Sequence, residues 1–246
     1  MVKLSNRLLT VADLVTEGNV LADVGTDHGY IPIYLLQKEY IPRAIAMDIN
    51  AGPLERAKEH VAQFGLEEYI ETRLSDGVDA LTPGEADTIL IAGMGGGLVL
   101  HILSNGEAVC RQAKELILQP QSELERVRAY LWTNGYVILE ENMVLEDEKF
   151  YPMMRVQYQG IMDEKSAEDA LLCRYGKGLL EAAHPVLLQY LEREKRVYSD
   201  IKKNLEKTGI SEKTKERLIE VEEILRLNQC AIGGFYNGRK TSDTFN

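Results

Sequence analysis

Five short apolar runs separated by helix-forming segments, then two extended runs too close together to admit a helix between them, constrain this chain's fold more than any other feature. Residues 20–24 read as a buried strand running into Gly25, and residues 30–38 as the helix that follows. Residues 44–47 form a second strand, ended by Asp48. Pro53 suits the first turn of the next helix, because its fixed φ fits there and its missing N–H would have no partner. That helix carries Leu54, Ala57, Val61 and Phe64 and closes at Gly65. Residues 69–74 and 88–92 are the third and fourth strands, 98–109 a helix, 115–118 the fifth strand and 123–133 a helix ending at Asn134-Gly135. Strand and helix in alternation call for a parallel sheet covered on both faces. Residues 136–144 and 150–158 leave only 145–149 between them, so they pair as a hairpin and the sheet finishes in an antiparallel strand.

Before and after this block the pattern is helical. Leu4, Leu8, Val11 and Val15 recur at helical spacing, and Asp13 interrupts any apolar leader, so the opening is an amphipathic helix and no signal peptide is expected. Beyond Gly160, Leu187, Leu191, Tyr198, Ile201 and Leu205 keep a near-heptad spacing with Glu194 in the missing position. Gly209 breaks that run, Ser211 can cap the next helix, and Leu218, Val221 and Leu225 resume it, which predicts an antiparallel helical hairpin. The predicted division is therefore 1–160, a sheet domain, and 161–246, a helical, coiled-coil-like module.

Charge and cysteines narrow the setting. The net charge of −11 sits entirely in residues 1–160, while residues 161–246 balance to zero, so a polyanionic partner would have to rely on local patches. The longest stretch without Asp, Glu, Lys or Arg, 88–106, is split by Gly93, Gly95, Gly96 and Gly97, which argues against a membrane span. Cys110, Cys173 and Cys230 lie far apart with no CxxC pair, the usage of free thiols in a reducing, cytoplasmic compartment, and no metal is expected.

The chemistry concentrates at strand ends. In Asp23-Val24-Gly25-Thr26-Asp27-His28-Gly29-Tyr30, glycines let the backbone approach a ligand where a helix N-terminus offers unpaired N–H groups. Dinucleotide-binding turns read G-x-G-x-x-G. Here Asp27 stands where the second glycine would be, and a carboxylate there repels a diphosphate but suits the ammonium and sulfonium of S-adenosylmethionine. Asp23, Gly25, Thr26, Asp27, His28 and Gly29 are thus candidate cofactor residues, against the alternative of a plain strand-to-helix turn. Asp48, 23 residues beyond Gly25, stands where an acid takes the ribose hydroxyls of an adenosine. Asp76 and Gly77 follow the third strand, where an acid accepts from the adenine amine; alone, the same residues make an Asx turn. Gly93 and Met94 leave the fourth strand beside the cofactor, and Gly95 and Gly96 offer an open pocket floor for a planar substrate.

By analogy of fold, a parallel sheet closed by a hairpin resembles the Rossmann-like sheet of class I methyltransferases. Leu4-Ser5-Asn6-Arg7-Leu8, the Asp23–Tyr30 turn, Gly93-Met94-Gly95-Gly96 and Gln119-Pro120 together resemble the bacterial tRNA (adenine(22)-N(1))-methyltransferase family over essentially the whole chain. The resemblance implies methyl transfer from S-adenosylmethionine to N1 of an adenine in the D-arm of tRNA, with Asp27 or Tyr30 stabilising or stacking on the base and Arg7 touching RNA. Arg193, Arg196, Lys203 and Lys207 follow heptad spacing on one helix and form a stripe able to track phosphates, or simply a solvated face. A methyltransferase of a small molecule or protein, a dehydrogenase, and a non-catalytic protein using the hairpin remain open alternatives. The oligomeric state is left open, with a monomer favoured.

Overall fold

The computed structural model describes residues 1–207 and 211–242. The chain divides into two compact units, Met1–Glu168 and Asp169–Asn246.

The first unit opens with helix α1 (Asn6–Asp13), capped by Ser5, whose side chain accepts from the Leu8 N–H. There follow β1 (Leu21–Val24), α2 (Tyr30–Gln37), β2 (Ala44–Asp48), α3 (Ala51–Gln63), β3 (Ile70–Leu74), β4 (Thr88–Met94), α4 (Gly96–Asn105), α5 (Glu107–Cys110), β5 (Glu115–Pro120), α6 (Leu124–Thr133), β6 (Tyr136–Glu146), β7 (Lys149–Tyr158) and α7 (Glu164–Glu168). The seven strands lie in the order β3-β2-β1-β4-β5-β7-β6. The five through β5 are mutually parallel, and β7 pairs antiparallel with both β5 and β6. The hairpin thus enters by its second strand, placing the reversed strand one in from the edge.

Alternation along the buried strands sorts the core onto two faces. Ala22, Val24, Ile89, Ile91, Leu116 and Leu118 pack with Val99, Ile102, Val127 and Leu131 of α4 and α6. Leu21, Ala44, Ala46, Leu90 and Ile117 pack with Val11, Ile31, Ile33 and Val61 of α1 to α3. Both faces are covered, which is why these strands read as continuous apolar runs.

The region after β4 departs from the sequence reading. β4 continues to Met94 with an irregularity between Ala92 and Met94, and the expected helix over 98–109 starts earlier and is cut in two at Gly106. A side chain at Gly106 would overlap that of Val78. Gly96 and Gly97 are therefore the first turn of a helix.

The second unit holds α8 (Ala170–Tyr175), α9 (Lys177–Glu181), α10 (Pro185–Lys207) and α11 (Glu212–Ser242). α10 and α11 run antiparallel: Asn228 Nδ2 donates to the Leu191 carbonyl at 2.9 Å, and Lys202 bridges Glu222 at 2.8 Å. Ser211 Oγ accepts from the Thr214 N–H, while the break expected at Gly209 lies outside the described residues. Glu194, in the polar seam position, is buried and accepts from Arg174 (2.7 Å), Tyr175 (2.6 Å), Tyr190 (3.1 Å) and Asn228 (2.9 Å). A buried charge so fully paired fixes the helix register, since any slip leaves it unmatched.

Candidate active site

Strand order reverses between β1 and β4, so the chain leaves their carboxyl ends in opposite directions and opens a crevice there. A cavity of about 370 Å³ occupies it. Asp23, Gly25, Thr26, Asp27, His28 and Tyr30 line it from the β1 side, Ala92 and Gly93 from β4, and Arg7 of α1 and Gln121 complete the rim.

Asp23 ends β1 nearly fully buried, with Thr26 Oγ1 donating to it at 2.6 Å. Burial pushes its carboxyl up to about 6; the Thr26 bond opposes this and the negative charge of Asp48 adds to it. Gly25, at φ 75°, donates its N–H to the Met47 carbonyl at 2.8 Å. A side chain there would be strained and would overlap the Met94 methyl group, so the turn is a cradle only glycine permits. Asp48 is half-buried and accepts from the Asn50 N–H at 2.8 Å. Next to it Ile49 is 57% exposed, as is Leu74 at 61%, two apolar side chains left bare at the ends of β2 and β3.

Asp27 adopts φ 45°, and its exposed carboxylate pairs with Arg56 Nη2 at 2.5 Å and lies 3.5 Å from His28 Nε2. Arg56 thus neutralises an acid that the sequence left unpaired. His28, Tyr30 and His60 form a ring cluster, with centroids 5.1–5.3 Å apart. His60 Nδ1 lies 3.0 Å from the His28 carbonyl, which only accepts, so that nitrogen carries the proton. Gly29, at φ 68°, begins α2 and donates to the Thr26 carbonyl at 2.9 Å.

Asp76 and Gly77 stand apart from this cavity. Asp76 is exposed in the turn after β3, and with Gly77, His101 and Asn105 it borders a separate void of about 20 Å³. Gly95 and Gly96, expected as a pocket floor, are not among the residues lining this cavity, and Gly95 is exposed. Gly96 is buried, its N–H donates to Ser122 Oγ at 3.1 Å, and a side chain on it would overlap the Ser122 carbonyl. Gly97 N–H donates to Glu123 Oε2 at 2.8 Å. These glycines let α4 lie against residues 122–123, which cap its N-terminus.

Arg7 is held at the rim by three contacts. Nη1 donates to Gln119 Oε1 at 3.0 Å, the backbone N–H to Glu146 Oε1 at 3.0 Å, and the guanidinium sits 5.2 Å above the Tyr151 ring. Gln119, Gln121, Arg56 and His60 also stand at the site, although none was expected there. Gln119 had a signal, a polar side chain ending an apolar run; the others had none, because their partners lie far along the chain. In the second unit Arg193, Arg196, Lys203 and Lys207 are exposed on α10, with Lys203 3.6 Å from Asp200.

Among the described residues no helix is long and apolar enough to cross a membrane, and no group of three His, Cys, Asp or Glu residues is arranged to hold a metal ion. The sheet order, its closing hairpin and an acid-lined crevice at the switch point define a Rossmann-like methyltransferase domain, and residues 4–154 match the family model described as a methyltransferase domain. The chain is 34% identical over 229 residues to the tRNA (adenine(22)-N(1))-methyltransferase of Bacillus subtilis, covering 92% of this chain and 95% of that one. The solved B. subtilis m1A22 tRNA methyltransferase TrmK matches with TM-score 0.83 at 32% identity, over 94% of this chain and 100% of that one. A Streptococcus pneumoniae chain solved in complex with S-adenosyl-L-methionine matches with TM-score 0.80 at 31% identity, over 93% and 99%. The chain belongs to the tRNA (adenine(22)-N(1))-methyltransferase family.

Proposed function

We propose that this protein transfers a methyl group from S-adenosylmethionine to N1 of adenine 22 in the D-arm of tRNA. The family relationship, over 92% of this chain and 95% of its B. subtilis relative, carries the reading, and the cavity at the switch point fits it. When bound, the cofactor supplies a methyl group already activated on a sulfonium, so the chain's task is to orient the reactants and exclude water.

The residues suit that task. Asp23, buried and with Thr26 Oγ1 donating to it, receives the methionine ammonium, with Gly25, Thr26, His28 and Gly29 shaping the turn around it. Asp48 takes the ribose hydroxyls, exposed Ile49 and Leu74 at the ends of β2 and β3 offer an apolar face to the adenine, and the adenine edge extends past the cavity toward Asp76 and Gly77 in the turn after β3. Gly93 and Met94 close the β4 side. N1 lies on the Watson–Crick edge, so the target base must be turned out of its stack to be reached. Tyr30, braced by His28 and His60, gives that base a platform, and Asp27 stands beside it at the rim. Arg7 faces a backbone phosphate, and the α10 stripe of Arg193, Arg196, Lys203 and Lys207 tracks further ones. On this reading residues 1–160 are the catalytic domain and residues 161–246 hold the tRNA, in the cytoplasm.

The test is to incubate the purified protein with S-adenosylmethionine and an unmodified tRNA transcript, then digest the RNA and measure 1-methyladenosine by mass spectrometry. The wild-type transcript gains the modification and one carrying guanine at position 22 does not. Equal yields from both, or none from either, would overturn the proposal.

A further inference from the structure

Gln119 is a polar side chain with no exposure, at the end of a strand whose Leu116, Ile117 and Leu118 are all buried. Its Oε1 accepts two hydrogen bonds, from Arg7 Nη1 at 3.0 Å and from the Gly93 N–H at 3.2 Å. Both neighbours are donors, so the amide has one possible orientation, and its Nε2 is buried without an acceptor among the described residues. An unmatched buried donor is unfavourable. A methionine would fill similar volume without it. What the amide adds is the pair of bonds its oxygen makes, to two groups that both line the cavity. Arg7 is also the only lysine or arginine among the described residues lining that cavity.

We infer that Gln119 is a positioning residue for methyl transfer: it presets the Arg7 guanidinium against the Gly93 end of β4, so that the cation meets the phosphate beside the flipped nucleotide without first being ordered. The inference rests on the methyl-transfer reading above. A long, flexible side chain loses rotamer freedom when it engages a ligand, and a preformed bond to Gln119, together with the Tyr151 ring, removes that cost beforehand. The side chain acts through Arg7 and touches no reacting atom.

A double-mutant cycle on the full-length protein tests this, using Gln119→Met, Arg7→Met and the pair. The readouts are kcat/KM for the tRNA transcript, S-adenosylmethionine affinity by calorimetry, and Tm. Each single change should lower kcat/KM about ten- to a hundredfold, the scale of one hydrogen bond to a charged group. The pair should be no worse than Arg7→Met alone, because the two residues act as one unit. Cofactor affinity should stay within about twofold. Additive losses, or a loss matched by cofactor affinity, would overturn the inference. Failure of the wild-type protein to methylate tRNA would overturn the functional reading itself. Methylation by the wild type with Gln119→Met unimpaired would overturn the Gln119 role alone.

Discussion

Asp23→Asn should make this protein more stable and less able to bind its cofactor, with a pH dependence that identifies the cause. The carboxyl is raised from 3.8 to about 6, chiefly because burial disfavours its charge. Below pH 4 the group is protonated in both folded and unfolded chains and contributes no difference. Between pH 4 and about 6 the unfolded chain ionises while the folded one still holds its proton, so rising pH favours unfolding. Above that range the penalty is complete. About two pK units at 1.36 kcal/mol each give about 3 kcal/mol. Asparagine does not titrate and keeps an acceptor for Thr26 Oγ1, so the variant should gain about 1.5 kcal/mol at pH 5 and about 3 kcal/mol at pH 8. Urea denaturation of both proteins across that range, without ligand, measures the difference. Calorimetry at pH 8 should show S-adenosylmethionine affinity falling at least about tenfold, since a charge-assisted bond to the ammonium is lost. In the wild type, affinity should decline as pH drops through about 6 and Asp23 takes up its proton. A stability gain identical at pH 5 and pH 8 would refute the burial argument, and unchanged affinity would remove Asp23 from the cofactor site.

Three further outcomes follow from the geometry. Gly25→Ala should cost about 1–3 kcal/mol of stability and weaken cofactor binding, with Met94→Ala in the same chain returning part of the loss; melting and calorimetry together check it. Gly96→Ala should lower stability by about 2 kcal/mol or more despite alanine's better helix propensity, because the new methyl meets the Ser122 carbonyl; an unchanged or raised Tm would refute the packing role. Arg196→Glu with Lys203→Glu should reduce the log–log salt slope of tRNA binding by about two units and leave cofactor affinity alone; identical slopes would make the stripe a solvated face.

Much of this molecule was legible from local properties. Strand–helix alternation gave the parallel sheet, because a strand buried on both faces must read as an unbroken apolar run, and the short gap at 145–149 forced the hairpin. Gly25 and Gly29 announced a turn where the backbone can approach a ligand, and both adopt a positive φ, which local backbone sterics reserve largely for glycine. Asp23 at a strand end and the glycine turn after it pointed to the carboxyl end of β1, where the cavity at the switch point lies. Tertiary structure alone decided which polar groups meet. Asp27 reads as an open carboxylate until α3 brings Arg56, 29 positions away, onto it. Gly96 reads as part of an open floor until residues 122–123 pack against it, 26 positions along, while Gly95 stays exposed. Gln119 reads as the end of a strand until α1 delivers Arg7 across 112 positions. Periodicity and φ preference are carried by neighbours in the chain, so they survive in the sequence. A hydrogen bond needs two groups within about 3 Å in fixed orientation, and only the closed sheet with its helices in place supplies that for residues so far apart.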